Sequence, residues 1–150
     1  MNNYTSKNRH RYYLKAHLIF VCKYRKQLLK GDIDDKVKSC FSEESDNSKF
    51  SIDIMESDKD HIHLLITYSP DISLTSIVRR LKQKSVHVLW NKHAEFLTNY
   101  FWKERTFWCD GYFVCSIGEA DPDTLRKYIE NQGSNSSSCL FALSMSSSRL

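Results

Sequence analysis

The positions of apolar and polar residues divide this chain into segments of two periods. Over residues 13–22, Leu14, Ala16, Leu18, Phe20 and Cys22 fall on one side of an extended chain. Tyr13, Lys15, His17, Ile19 and Val21 fall on the other, which is the two-residue period of a strand. The period then changes. In GDIDDKVKSCFSEE, residues 31–44, Ile33, Val37, Cys40 and Phe41 recur at helical spacing behind acidic residues that suit a helix N-terminus. Phe50, Ile52 and Ile54 alternate again, and a turn signal at Ser57, Asp58 and Lys59 leads into the run 60–68, so 49–68 predicts a hairpin. Residues 73–90 place Leu74, Ile77, Val78, Leu81, Ser85, Val88 and Leu89 on one stripe, an amphipathic helix. FWCDGYFVCSI, residues 107–117, predicts another strand after a tight turn at Asp110 and Gly111. In DPDTLRKYIENQ, Asp121 suits an N-cap, Pro122 a first helical residue and Gly133 a stop, which predicts a helix over 122–132.

The resulting order is β-α-β-β-α-β followed by a last helix. It predicts an α+β fold of ferredoxin-like type: an antiparallel sheet, helices on one face, and the first and third strands side by side at its centre. No internal repeat interrupts it. The tail, GSNSSSCLFALSMSSSRL, is serine-rich with one short apolar island, and reads as flexible or as a short docking element. The chain therefore divides into a domain over 1–132 and a tail over 133–150.

Composition and charge narrow the picture. A chain of 150 residues that is 41% hydrophobic is most simply one domain with a real core. The net charge of +4 permits a polyanionic partner without demanding one. Basic residues crowd two places: Lys7, Arg9, Arg11, Lys15, Lys23, Arg25 and Lys26 near the start, and Arg79, Arg80, Lys82 and Lys84 on the polar side of the second helix. Interleaved with Tyr12, Tyr13 and Tyr24, they suit a nucleic-acid surface; a solvated charged face is the plainer alternative. The five cysteines are odd in number and form no CxxC pair, which argues for a reducing compartment and against a zinc ribbon or disulfide scaffold. The N-terminus lacks an apolar signal core and no apolar run is long enough to span a bilayer, so a cytoplasmic protein with no membrane partner is expected.

Candidate chemistry begins at DKDHIHLLITY, residues 58–68. Side chains two apart on a strand share a face about 6.6 Å apart. His61, His63, Leu65 and Thr67 therefore share one face, and Ile62, Leu64, Ile66 and Tyr68 share the helix-covered one. The histidines are expected on the open face, beside Tyr13, Lys15 and His17 of the first strand. Two imidazoles so placed suit one divalent cation, or are simply the polar outer face of a half-exposed sheet. On the last helix Tyr128 and Gln132, four residues apart, project within about 40° of each other. A tyrosine hydroxyl near a cation is a usable nucleophile, and a glutamine can supply a hard oxygen ligand. Equally, Leu125, Tyr128, Ile129 and Gln132 form a stripe in which Tyr128 is a core aromatic.

Taken together, HIH before a hydrophobic run and YIENQ on a late helix resemble the single-tyrosine HUH transposases (TnpA type) of small bacterial insertion sequences. In "HUH", U is a bulky hydrophobic residue, here Ile62. The resemblance extends over roughly 10–132, through HLIFVCKYRKQLL, DKDHIHLLI, LTSIVRRLKQKS and FWCDGYFVCSIG. It implies a homodimer that cuts and rejoins single-stranded DNA beside an imperfect hairpin. Tyr128 would be the nucleophile, forming a 5′-phosphotyrosine and freeing a 3′-OH. His61, His63 and Gln132 would ligate Mg²⁺ or Mn²⁺, with active sites shared between subunits. Lys15, Lys23, Arg25, Arg79, Arg80, Lys82 and Lys84 would hold the DNA backbone.

The serine-rich tail departs from the charged, helix-forming sequence usual in that family. Three other readings stay open at this point. One is a domesticated REP-associated tyrosine transposase. A second is a replication-initiator-like nickase, which a short chain without a helicase disfavours. The third is a non-catalytic single-stranded nucleic-acid-binding module, which predicts exposed aromatics on the first and third strands.

Overall fold

The structure is a computed structural model and describes residues 5–7, 10–12 and 14–117. Its centre is a four-stranded antiparallel sheet. Among the described residues the short strands β1 (Thr5–Lys7) and β2 (His10–Tyr12) pair with each other, in a small hairpin that the sequence pattern did not indicate. The chain then runs through β3 (Lys15–Val21), α1 (Gly31–Asp46), β4 (Phe50–Asp58), β5 (His61–Tyr68), α2 (Leu74–Thr98) and β6 (Phe113–Ile117). The strand order is β4-β5-β3-β6, so β3 and β5 lie side by side at the centre, as a ferredoxin-like sheet requires. The expected helix over 122–132 and the tail over 133–150 lie outside the described residues.

Both helices form for local reasons. Gly31, at φ +55°, opens α1 in a conformation that side-chain-bearing residues avoid, and Asp32 and Asp34 stand in the first turn where the helix dipole favours them. Ser73 caps α2: its hydroxyl accepts from the Ser76 backbone N–H at 3.1 Å. The helix continues to Thr98, past the 73–90 the pattern predicted, through a kink at His93 (φ −122°). Ile33, Val37 and Phe41 of α1 and Ile77, Leu81 and Leu89 of α2 bury one face of the sheet, against Ala16, Leu18, Phe20, Ile62, Leu64 and Ile66. These strand residues are the alternating set read from the sequence.

Two features depart from simple alternation. A bulge at Asp53 shifts the β4–β5 register, so Ile52 pairs with Ile66 but Ile54 pairs with Leu65. One extra residue reverses every side chain beyond it. Met55, not Ile54, then returns to the helix-covered core. The second departure concerns the face away from the helices, which is not open. His61 and His63 are each 3% exposed and His17 is 1% exposed. Ile19 and Val21 on the same face are buried too, with Cys109 and Phe113 packed against them. The expectation of a half-exposed outer face is therefore corrected: the alternation assigned the right residues to it, but alternation does not report whether a second face is covered.

Candidate active site

Register brings three histidines together. His61 pairs across the sheet with Val21, and His63 with Ile19. His17 pairs with Leu65, so it lies diagonal to His63 on the same face. The His61 and His63 rings meet edge to face with centroids 4.7 Å apart, and His17 stacks on His63 at 5.4 Å. His17 Nε2 and His63 Nδ1 are 3.3 Å apart.

His61 is held from behind. Its Nδ1 is 2.7 Å from Asp60 Oδ1. A carboxylate only accepts, so Nδ1 carries a proton, which leaves Nε2 as the nitrogen available to a ligand. Asp60 is fixed in turn by Arg25, which donates to Oδ2 from Nη2 at 3.0 Å and from Nε at 3.2 Å. Arg25 and its neighbour Tyr24 are both left-handed, at φ +52° and +58°, an uncommon conformation for non-glycine residues. Backbone bonds dock the turn that carries Asp60 onto this segment: Leu29 N donates to the Lys59 carbonyl and Cys22 N to the Asp60 carbonyl, both at 2.8 Å.

The two Nε2 atoms are the notable part. Among the described residues, His61 Nε2 and His63 Nε2 are buried and have no hydrogen-bond partner. A buried polar atom left unsatisfied costs free energy, and a divalent cation is the partner that two such nitrogens suit. Ligation also requires neutral imidazoles. Burial, reinforced by His61 and His17 alongside, lowers His63 from its ordinary 6.5 to about 3, and burial lowers His17 to about 4. The residues present thus fit a metal. Among the described residues no group of three or more His, Cys, Asp or Glu side chains forms a full metal site, so the pair needs further ligands.

Comparison with known proteins decides the family. The family described as "Transposase IS200 like" matches residues 10–132. The chain belongs to the IS200-like transposases. The transposase of insertion sequence IS200 from Salmonella typhimurium is 31% identical over 122 residues, covering 81% of this chain and 78% of that protein. The ISDra2 transposase TnpA of Deinococcus radiodurans is 29% identical over 121 residues, covering 81% and 85%. In structure, the chain is similar to a candidate transposase from D. radiodurans R1, with TM-score 0.69 and 24% identity over 85% of this chain and 97% of that one. It is also similar to a REP-associated tyrosine transposase bound to a REP hairpin, with TM-score 0.55 and 19% identity over 83% and 68%. An IS200-like transposase is an enzyme that cuts and joins DNA, so the histidine face is where its chemistry is sought.

In this transposase the expected site residues fall into three groups. His61 and His63 stand together as expected. Tyr128 and Gln132 lie outside the described residues. The basic residues are dispersed. Arg79 and Lys84 are exposed on α2, while Arg80 pairs with Glu44 at 3.1 Å. Lys15 pairs with Asp53 at 3.3 Å and Lys23 with Glu104 at 2.6 Å. Arg25 serves Asp60. Lys82 turns inward: its ammonium donates to the carbonyls of Cys109 at 2.8 Å and Gly111 at 2.9 Å, over the rings of Phe20 and Tyr112, and burial lowers it to about 8. Sequence reading missed the support from Asp60. The available signal was a carboxylate directly before the first histidine in DKDHIH. Of the exposed aromatics that a non-catalytic sheet-face binder requires on the first and third strands, Tyr13 lies outside the described residues, and none stands at the described positions of that face. That face carries Lys15, His17, Ile19 and Val21 on β3 and His61, His63, Leu65 and Thr67 on β5.

This dispersal yields a test. Arg79→Ala and Lys84→Ala are each expected to reduce the slope of log K against log salt for single-stranded DNA by about 0.7. Lys82→Met is expected to leave the slope unchanged and instead to lower stability by roughly 1–3 kcal/mol, because the loop carbonyls lose their donor. Salt titrations and thermal melts of the three variants decide. An unchanged slope with Arg79 and Lys84 both replaced returns these charges to a solvated face.

Proposed function

We propose that this transposase cleaves and rejoins single-stranded DNA at hairpin-marked element ends, with Tyr128 as nucleophile and Mg²⁺ or Mn²⁺ held by His61, His63 and Gln132. The observation that carries the reading is the pair of buried, unpartnered Nε2 atoms on one sheet face. The bound cation would polarise the scissile phosphate and offset its developing charge. The Tyr128 hydroxyl oxygen attacks phosphorus, the bond from phosphorus to the 3′ oxygen breaks, and the departing oxygen takes up a proton as a free 3′-OH. A 3′-OH then attacks the phosphotyrosine, phosphorus returns to a sugar oxygen, and Tyr128 is released. One phosphodiester is exchanged for another, so no nucleotide cofactor is consumed. The homodimer with shared sites belongs to the same proposal. A protein of the same fold bound to a REP hairpin supports hairpin recognition.

Purified protein with Mn²⁺ is expected to nick a cognate hairpin-bearing single strand and to leave the fully paired duplex intact. EDTA is expected to abolish the nick. Equal cleavage in EDTA would overturn the metal-assisted reading.

A further inference from the structure

His61 and His63 differ in what stands behind them. His61 has a carboxylate, the usual partner of a metal-ligating histidine. His63 has another imidazole. Imidazole differs from carboxylate in one decisive respect: it accepts only at a nitrogen that carries no proton. The contact between His17 Nε2 and His63 Nδ1, at 3.3 Å and fully buried, therefore has two versions. In one, His17 Nε2–H donates to His63 Nδ1. His63 then holds its own proton on Nε2 and is unable to ligate. In the other, His63 Nδ1–H donates to His17 Nε2, and His63 Nε2 is left with its lone pair.

We propose that His17 is a positioning residue of this site: its Nε2 accepts the Nδ1–H of His63 and so selects the His63 tautomer whose Nε2 ligates metal. His17 is not itself a ligand in this arrangement, because the nitrogen it brings to the site faces His63 Nδ1, on the side of that ring away from its ligating atom. The proposal rests on reading His61 and His63 as metal ligands. The geometry behind it is set by the β3–β5 register. His17 opposes Leu65, two residues from His63 on the same face, so a slip of one residue would turn His17 into the helix-covered core. Stacking of the His17 and His63 rings, with an interplanar angle of 12°, keeps them in one fixed relation. Asp60 holds His61 Nδ1 in the equivalent way, so both ligands would present Nε2, each held through Nδ1.

The test uses the full chain and Mn²⁺ affinity, read by electron paramagnetic resonance titration without DNA. His17→Leu, which has no acceptor, is expected to weaken Mn²⁺ binding by about 10- to 100-fold. His17→Gln retains an acceptor oxygen and is expected to recover most of that loss. A purely packing role for His17 predicts no such recovery. His63→Ala separates the two readings. If His63→Ala binds Mn²⁺ as well as the unaltered protein, the metal reading itself fails. If His63→Ala loses binding while folded His17→Leu binds within about twofold of the unaltered protein, only the His17 inference is overturned. Should His17→Leu not fold, nitrogen-15 NMR of the unaltered Mg²⁺-loaded protein decides. The proposal expects a protonated His63 Nδ1 and an unprotonated His17 Nε2; a protonated His17 Nε2 overturns it.

Discussion

Tyr128→Phe protein incubated with a cognate single strand is expected to show no covalent protein–DNA adduct on a denaturing gel and to lose cleavage by roughly 10³-fold or more, the scale of removing a nucleophile. The substitution deletes one oxygen and leaves the ring, so folding and DNA binding should persist. Seven other tyrosines stand in the chain: Tyr4, Tyr12, Tyr13, Tyr24, Tyr68, Tyr100 and Tyr112. Tyr128 alone is expected on a helix with a candidate ligand, Gln132, one turn later. Four of the others have described surroundings, and Tyr100 and Tyr112 pack against the helix-covered core. Tyr68 ends β5 and packs against the helix-covered core, on the face opposite His61 and His63. Tyr24 is exposed beside Phe101, in the turn that carries Arg25. An adduct that persists in Tyr128→Phe would place the nucleophile elsewhere, and a peptide map of the adduct would find it.

Mixed dimers of Tyr128→Phe and His61→Ala protein are expected to regain cleavage that neither variant has alone. The mixture separates two arrangements. β6 runs antiparallel to β3, and its last residue, Ile117, lies beside Lys15, whereas His63 lies beside Ile19. Four residues along the sheet and two strand spacings across it put Ile117 about 16 Å from His63. The tether 118–121 spans at most about 14 Å. The helix expected to begin near 122 would add about 9 Å by Tyr128. Tether and helix together exceed that distance, so reach permits the chain's own tyrosine as well as a partner's, and the expectation of a shared site rests on the proposed homodimer. If the site is built from both subunits, the mixed dimer has one site with both lesions and one with neither. If each subunit uses its own tyrosine, every site carries a lesion and the mixture stays inactive. Mixed dimers that form and do not cleave would show that the trans arrangement is wrong for the cleaving state.

Much of this architecture was legible in the order of residues. Alternation on β3 and β5 separated Ala16, Leu18, Phe20, Ile62, Leu64 and Ile66 from His17, His61 and His63, because a strand's two-residue period is a local property. The helical stripes of α1 and α2 are local in the same way, and the Ser73 cap of α2 lies within one turn of the residue it serves. The bulge at Asp53 was not legible, since an inserted residue has meaning only against a partner strand. Nor was the fate of the basic residues. Lys82 and Arg79 look alike in LTSIVRRLKQKS, yet one donates to loop carbonyls 27 and 29 residues away and the other is exposed.

The amino-acid sequence by itself determined the order of the elements from β3 to β6, the core residues of β3 and β5, and the placing of His61 and His63 on one face. These follow from periodicity and from the chemistry of single residues. Tertiary structure decided that the histidine face is buried, that Asp60 and Arg25 stand behind His61, and that His17 stacks on His63. Each depends on the register of β3 against β5, or on the docking of the Lys59 and Asp60 turn against the segment from Cys22 to Leu29. Those are contacts between residues 30 to 52 positions apart. A local pattern holds no record of such distances, because the free energy that selects a register belongs to both strands at once.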